Sequence, residues 1–122
     1  MIDRLAAAGC VAADEEAIEL VAAADSDTTL EAFVTRRERG EPLAWITGTT
    51  RFCGHTIRVD PGVYVPRAQS EDLARRAATL LAGREEPRAA DLCTGSGAVA
   101  VHLLAAVPAT TVVGVDADER AA

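Results

Sequence analysis

The residues best suited to chemistry are two carboxylates and a turn of small residues, all within positions 89 to 116. That stretch reads A-A-D-L-C-T-G-S-G-A-V-A-V-H-L-L-A-A-V-P-A-T-T-V-V-G-V-D. Asp91 closes a short apolar run that reads as a buried strand. Asp116 closes a second such run. Between them lies Cys93-Thr94-Gly95-Ser96-Gly97, followed by an apolar helical segment. Glycine has no Cβ and tolerates positive φ, so Gly95 and Gly97 let the backbone bend sharply and approach a ligand. A helix starting just after them aims its free N–H groups at the same spot. An acid at the end of the second strand is placed to accept hydrogen bonds from a ribose.

Three ligand classes compete for such a turn. A P-loop needs the pattern G-x-x-x-x-G-K-S/T, and the chain contains no lysine, which excludes it. A dinucleotide turn needs G-x-G-x-x-G/A, and Gly95 to Ala100 satisfies that pattern with Asp116 at a suitable distance. S-adenosylmethionine fits a loop with an acid four residues before the first glycine, which Asp91 supplies. A carboxylate beside the turn suits a ligand carrying an ammonium and a sulfonium. It would repel a pyrophosphate by several kcal/mol at low dielectric before screening. A bare strand–helix turn without ligand is the remaining reading.

The elements that must position this turn follow from pattern. Residues 1 to about 39 predict helices. Asp14-Glu15-Glu16 open one, with Ala17, Ile18, Leu20 and Val21 as its apolar stripe. Asp27 or Thr28 is expected to cap the next, with Thr28 and Glu31 at capping-box spacing and Leu30, Phe33 and Val34 on one face. Arg36, Arg37 and Arg39 end it and Gly40 stops it. This arginine cluster reads as a solvated helix end, or else as a docking surface for an acidic partner. Glu41 to Gly48 reads as a connector with Trp45 as its anchor. Residues 50 to 66 read as a β-hairpin followed by a short strand. Ser70 is the expected cap of a helix running to Leu81, with Leu73, Ala77, Leu80 and Leu81 inward and Arg75 and Arg76 outward. Asp118-Glu119-Arg120 reads as the start of a further helix.

Composition narrows the function. The chain has 122 residues and a net charge of −7, which argues against direct binding to a nucleic-acid backbone. No apolar run approaches a membrane span. Three cysteines, Cys10, Cys53 and Cys93, carry no C-x-x-C spacing, so reduced thiols in a cytoplasmic protein are expected and no metal site is. Cys53 and His55 flank Gly54, but two groups do not make a metal site.

Three motifs in order then point to one family. R-R-E-R-G-E-P-L-A-W-I-T-G (36–48), F-C-G-H-T-I-R-V-D-P-G-V-Y-V-P-R (52–67) and D-L-C-T-G-S-G-A-V-A (91–100) resemble the protein-(glutamine-N5) methyltransferases of the HemK/PrmC type. The resemblance implies an α/β chain with a helical, substrate-recognising N-terminal domain (1–40), a connector and hairpin (41–66), and a Rossmann-like S-adenosylmethionine domain from residue 67 onward, incomplete at 122. It implies methyl transfer from S-adenosylmethionine to a glutamine side-chain amide of a protein partner. In the family's best-known members that partner is a peptide-chain release factor. By motif position Asp91 and Cys93-Thr94-Gly95-Ser96-Gly97 flank and wrap the methionine part, and Asp116 takes the ribose hydroxyls.

Three departures shape the expectation. Cys93 stands where the family usually has glycine, which requires a turn that avoids positive φ there. Arg67-Ala68-Gln69-Ser70-Glu71 replaces the usual R-P-E/D-T-E, the mark of a divergent paralogue. The N-P-P-Y motif that clamps the target amide does not occur; it is expected beyond residue 122. The expected protein is therefore a partial methyltransferase with no catalytic residue of its own, inactive and poorly stable alone. The alternatives are a non-catalytic remnant that binds a protein partner and a fragment of an NAD-dependent oxidoreductase.

Overall fold

The computed structural model describes residues 1–121; Ala122, the last position of the expected cofactor domain, lies outside the described residues. The chain forms two compact units, 1–48 and 49–121 among the described residues. The first is helical. The second combines helices with two small sheets.

In the first unit α1 (Ile2–Ala7), α2 (Ala13–Ala23), α3 (Asp27–Glu38) and α4 (Leu43–Thr47) surround one core. Leu5, Cys10, Ala13, Ala17, Leu20, Val34 and Ile46 are buried there. The stretch expected to be a bare connector thus carries a short helix, and Ile46 joins the helical core. On α2 the stripe is Ala13, Ala17 and Leu20, whereas Ile18 and Val21 are exposed. The cap of α3 is Ser26, whose hydroxyl accepts from the Thr29 N–H at 3.1 Å. Neither Asp27 nor Thr28 caps the helix. Ser26 wins because it has extended dihedrals, while Asp27 is already helical. Arg37 donates to both carboxylate oxygens of Glu16 on α2, at 2.6 and 3.1 Å. Arg36 grips Glu41 in the same two-pronged way. Both cations are therefore committed inside the unit rather than held out for an acidic partner.

The second unit opens with an antiparallel hairpin, β1 (Thr49–Phe52) and β2 (His55–Arg58), registered Phe52 to His55 and Thr49 to Arg58. Residues 59–67 form no strand; a turn closed by Val63 N–H to Asp60 C=O occupies the segment. A 3₁₀ turn (Ala68–Ser70) leads into α5 (Glu71–Leu81). Ser70 is itself helical and makes no side-chain cap bond, which corrects its expected role. The buried face of α5 is Ala74, Ala78 and Leu81, and Leu73 and Leu80 are exposed. Small residues face inward there because α5 packs closely on α6.

β3 (Arg88–Leu92), α6 (Ala98–Ala106) and β4 (Thr111–Val115) form a strand–helix–strand unit with β3 and β4 parallel. Asp91 lies opposite Gly114 and Leu92 opposite Val115. Ala78, Leu81 and Leu103 fill the core on the helical side, with Ala89 and Val112 packed against it. Leu92, Val113 and Val115 are exposed. Residues 118–121 form a turn, not a helix, because Asp118 spends its carboxylate on Arg120 and its carbonyl on Ala121 N–H.

Candidate functional site

The turn between β3 and α6 is built by its own bonds. Thr94 N–H donates to Val115 C=O at 3.1 Å, carrying the parallel ladder one step past β3. Gly97 N–H returns to Thr94 C=O at 2.9 Å. Cys93, Gly95 and Gly97 all take left-handed dihedrals, with φ of 59°, 55° and 72°. The expectation that Cys93 avoids positive φ is wrong. The ladder bond of Thr94 dictates the bend, and the exposed Cys93 side chain is small enough to follow it.

Both carboxylates face this turn. Asp91 Oδ2 accepts the Thr94 hydroxyl at 2.8 Å and the Ala100 N–H, in the first turn of α6, at 3.3 Å. It acts as the helix's cap from the preceding strand. Asp116 Oδ2 accepts the Gly95 N–H at 2.8 Å, and Oδ1 accepts the Asp118 N–H at 2.9 Å. The N–H groups of Asp118, Gly95 and Ala117 hold its carboxyl below the usual carboxylate range. A carboxylate offers about four lone-pair sites. Two bonds to backbone leave Asp116 able to accept a vicinal diol.

One glycine outside the turn matters as well. A Cβ built at Gly114 would meet the Thr94 Oγ1 at 3.1 Å. Gly114 therefore makes room for the threonine that Asp91 holds, a role the sequence reading did not assign.

Beside the turn lies a cleft of about 110 Å³. Asp91, Cys93, Thr94, Gly95, Ser96, Ala98 and Val99 form one side, so five of the seven expected site residues line the cleft, while Gly97 and Asp116 shape the turn from behind. The opposite wall is Phe52, Tyr64, Pro66, Arg67 and Ser70, none of which the sequence reading assigned to the site. Arg67 lies over the Tyr64 ring, 5.6 Å from its centroid. The Tyr64 carbonyl would be 3.8 Å from a Cβ at Gly95, an ordinary contact distance, so the two walls face each other there. The clue available in sequence was a lone tyrosine between Pro61-Gly62 and Pro66, a segment too short and too interrupted to be a core strand. Ser96 Oγ is buried and has no hydrogen-bond partner among the described residues. An orphan hydroxyl in a turn that lines a cleft suits a polar ligand.

Near the hairpin, Glu71 accepts the Cys53 N–H at 2.9 Å and binds Arg75. His55 and His102 lie 5.7 Å apart, centroid to centroid. Among the described residues no three His, Cys, Asp or Glu side chains converge as a metal site. No described helix is long and apolar enough to cross a membrane.

A parallel strand–turn–helix–strand unit with an acid at the second strand's end is the arrangement by which doubly wound α/β proteins hold a nucleoside. The relatives narrow that class. The chain is 41% identical over 100 residues to the release factor glutamine methyltransferase of Streptomyces coelicolor, covering 80% of this chain and 36% of that protein. It is 42% identical over 81 residues to the enzyme of the same name from Bordetella pertussis, covering 66% and 30%. It is 36% identical over 115 residues to the 4-amino-L-phenylalanine/4-methylamino-L-phenylalanine methyltransferase of Streptomyces pristinaespiralis, covering 84% and 39%. No protein-family model matches. Over most of its own length the chain is similar to release factor glutamine methyltransferases of the HemK/PrmC type. It spans between about three tenths and two fifths of the length of these relatives.

Proposed function

We propose that this chain carries the methyl-donor half of an S-adenosylmethionine-dependent enzyme that methylates a glutamine side-chain amide of a protein, a peptide-chain release factor being the first candidate. The observation that carries the reading is the division of labour between the two carboxylates. Asp91 takes the N–H at the start of α6, where a pyrophosphate would have to bind. That counts against a dinucleotide. Asp116 remains with acceptor capacity at the end of β4, next to the turn it holds. When bound, S-adenosylmethionine would supply an electrophilic methyl group on sulfur.

In this reading Cys93, Thr94, Gly95, Ser96 and Gly97 wrap the methionine part, Asp91 braces them, and Asp116 accepts the ribose hydroxyls. Phe52 and Tyr64 line the cleft on the hairpin side. In this reading the residues named here bind and orient the methyl donor. Positioning is the main source of rate in such a transfer, since an amide nitrogen is a weak nucleophile.

The relative named for 4-amino-L-phenylalanine supports a second reading, in which the acceptor is a small aromatic amine.

The test is calorimetry of the 122-residue chain with S-adenosylhomocysteine and, separately, with NAD. Binding of the first with none of the second is expected. Binding of NAD alone would overturn the reading.

A further inference from the structure

One arginine lies between the turn after β4 and the turn after β2. In the latter, Gly62 has φ of 90° and Val63 N–H donates to Asp60 C=O at 3.1 Å. In the former, the Asp118 carboxylate accepts three bonds from Arg120: its backbone N–H at 3.0 Å, Nε at 3.0 Å and Nη2 at 2.8 Å. The same guanidinium lies against Gly62. A methyl group added there would sit 2.3 Å from Arg120 Nη1. Glycine at 62 thus serves both the left-handed bend and the seat of the guanidinium.

The contact runs on into the site. Asp118 N–H donates to Asp116 Oδ1, and Asp116 Oδ2 accepts the Gly95 N–H. Two residues beyond Gly62, Tyr64 forms the cleft wall facing Gly95. The two sides of the cleft are therefore joined at the back through Gly62, Arg120, Asp118 and Asp116.

We propose that Arg120 is a positioning residue for the cleft: by gripping Asp118 while resting on Gly62, it sets the distance between the Tyr64 wall and the glycine turn. The proposal deepens the methyl-donor reading and rests on it only for the ligand's identity. Arg120 is largely exposed, so its ion pair adds little stability by itself. Its effect is geometric, because a planar fork holds two carboxylate oxygens in one orientation and an ammonium does not. A groove of about 300 Å³ bounded by Arg58, Asp60, Val63, Ser96 and Arg120 gives the turn room to shift once the guanidinium is removed.

Residue-resolved amide exchange on the 122-residue chain tests this without any ligand. In Arg120→Ala the Gly95 and Val63 amides should exchange about threefold faster. Arg120→Lys should fall between Arg120→Ala and the parent. Unchanged exchange at Gly95 in Arg120→Ala overturns the proposal. Calorimetry with S-adenosylhomocysteine separates this proposal from the reading it deepens. About threefold weaker binding by Arg120→Ala supports both. Equal binding by the two chains overturns the positioning role and leaves the methyl-donor reading standing. No binding by the parent defeats that reading, and the exchange result alone then decides the role of Arg120.

Discussion

Replacing Asp91 tests whether the turn is braced from within. Its Oδ2 takes the Thr94 hydroxyl and the Ala100 N–H, one half-buried side chain and one helix N-terminal donor. Losing a helix cap costs about 1 kcal/mol. Orphaning a partly buried hydroxyl adds about 1 kcal/mol. Asp91→Ala should therefore destabilise the α/β unit by about 2 kcal/mol. Asp91→Asn keeps an acceptor oxygen and loses the charge facing the α6 dipole, a loss of about 0.5 kcal/mol. Urea titration monitored by circular dichroism reads both. With an m value of about 1–2 kcal/mol per molar, the Asp91→Ala midpoint should fall by about 1–2 M with m unchanged. The two units are expected to unfold separately, so the helical unit's transition serves as an internal reference. An Asp91→Ala midpoint equal to the parent's would refute the bracing argument. So would an Asn variant as damaged as the Ala variant, since that would assign the whole effect to charge.

Cys93→Gly should stabilise the chain by about 0.5 kcal/mol, because relief of a left-handed φ at a residue with Cβ outweighs the added chain entropy of glycine; a lower midpoint in the same titration would show that the thiol makes a contact worth keeping. Stability should also fall as pH drops below neutrality because of His102. Burial, the nearby His55 and Arg75 hold its imidazole below the ordinary histidine value, with Glu71 opposing them. The unfolded chain then takes up the proton first, so the contribution is complete above the ordinary value near 6.5 and is lost as pH falls through it. His102→Gln should flatten that part of the melting-temperature profile between pH 7 and pH 5, and identical profiles would remove His102 as the cause.

Much of the site was legible because it is local. A glycine turn, the helix after it and an acid at the end of the next strand are fixed by chain sterics and short-range hydrogen bonds, which residues 91–97 and 116 announce by type and spacing. The helices of the first unit and the hairpin at 49–58 follow from the same kind of signal. What local pattern left undecided was which side of an element meets a neighbour. Leu73 and Leu80 looked like the core of α5, yet Ala74 and Ala78 are buried, because α6 approaches too closely for leucine at those positions. Cys93 looked unable to take positive φ, yet it does, because the bond from Thr94 to Val115 sets the bend from a strand more than twenty residues away. The second wall of the cleft, Phe52 to Ser70, exists only after the hairpin folds back toward the glycine turn. Short-range chemistry can be read along one dimension. Facing partners, and therefore the shape of the cleft, are set by packing between segments far apart in the chain, and only the tertiary structure decided those.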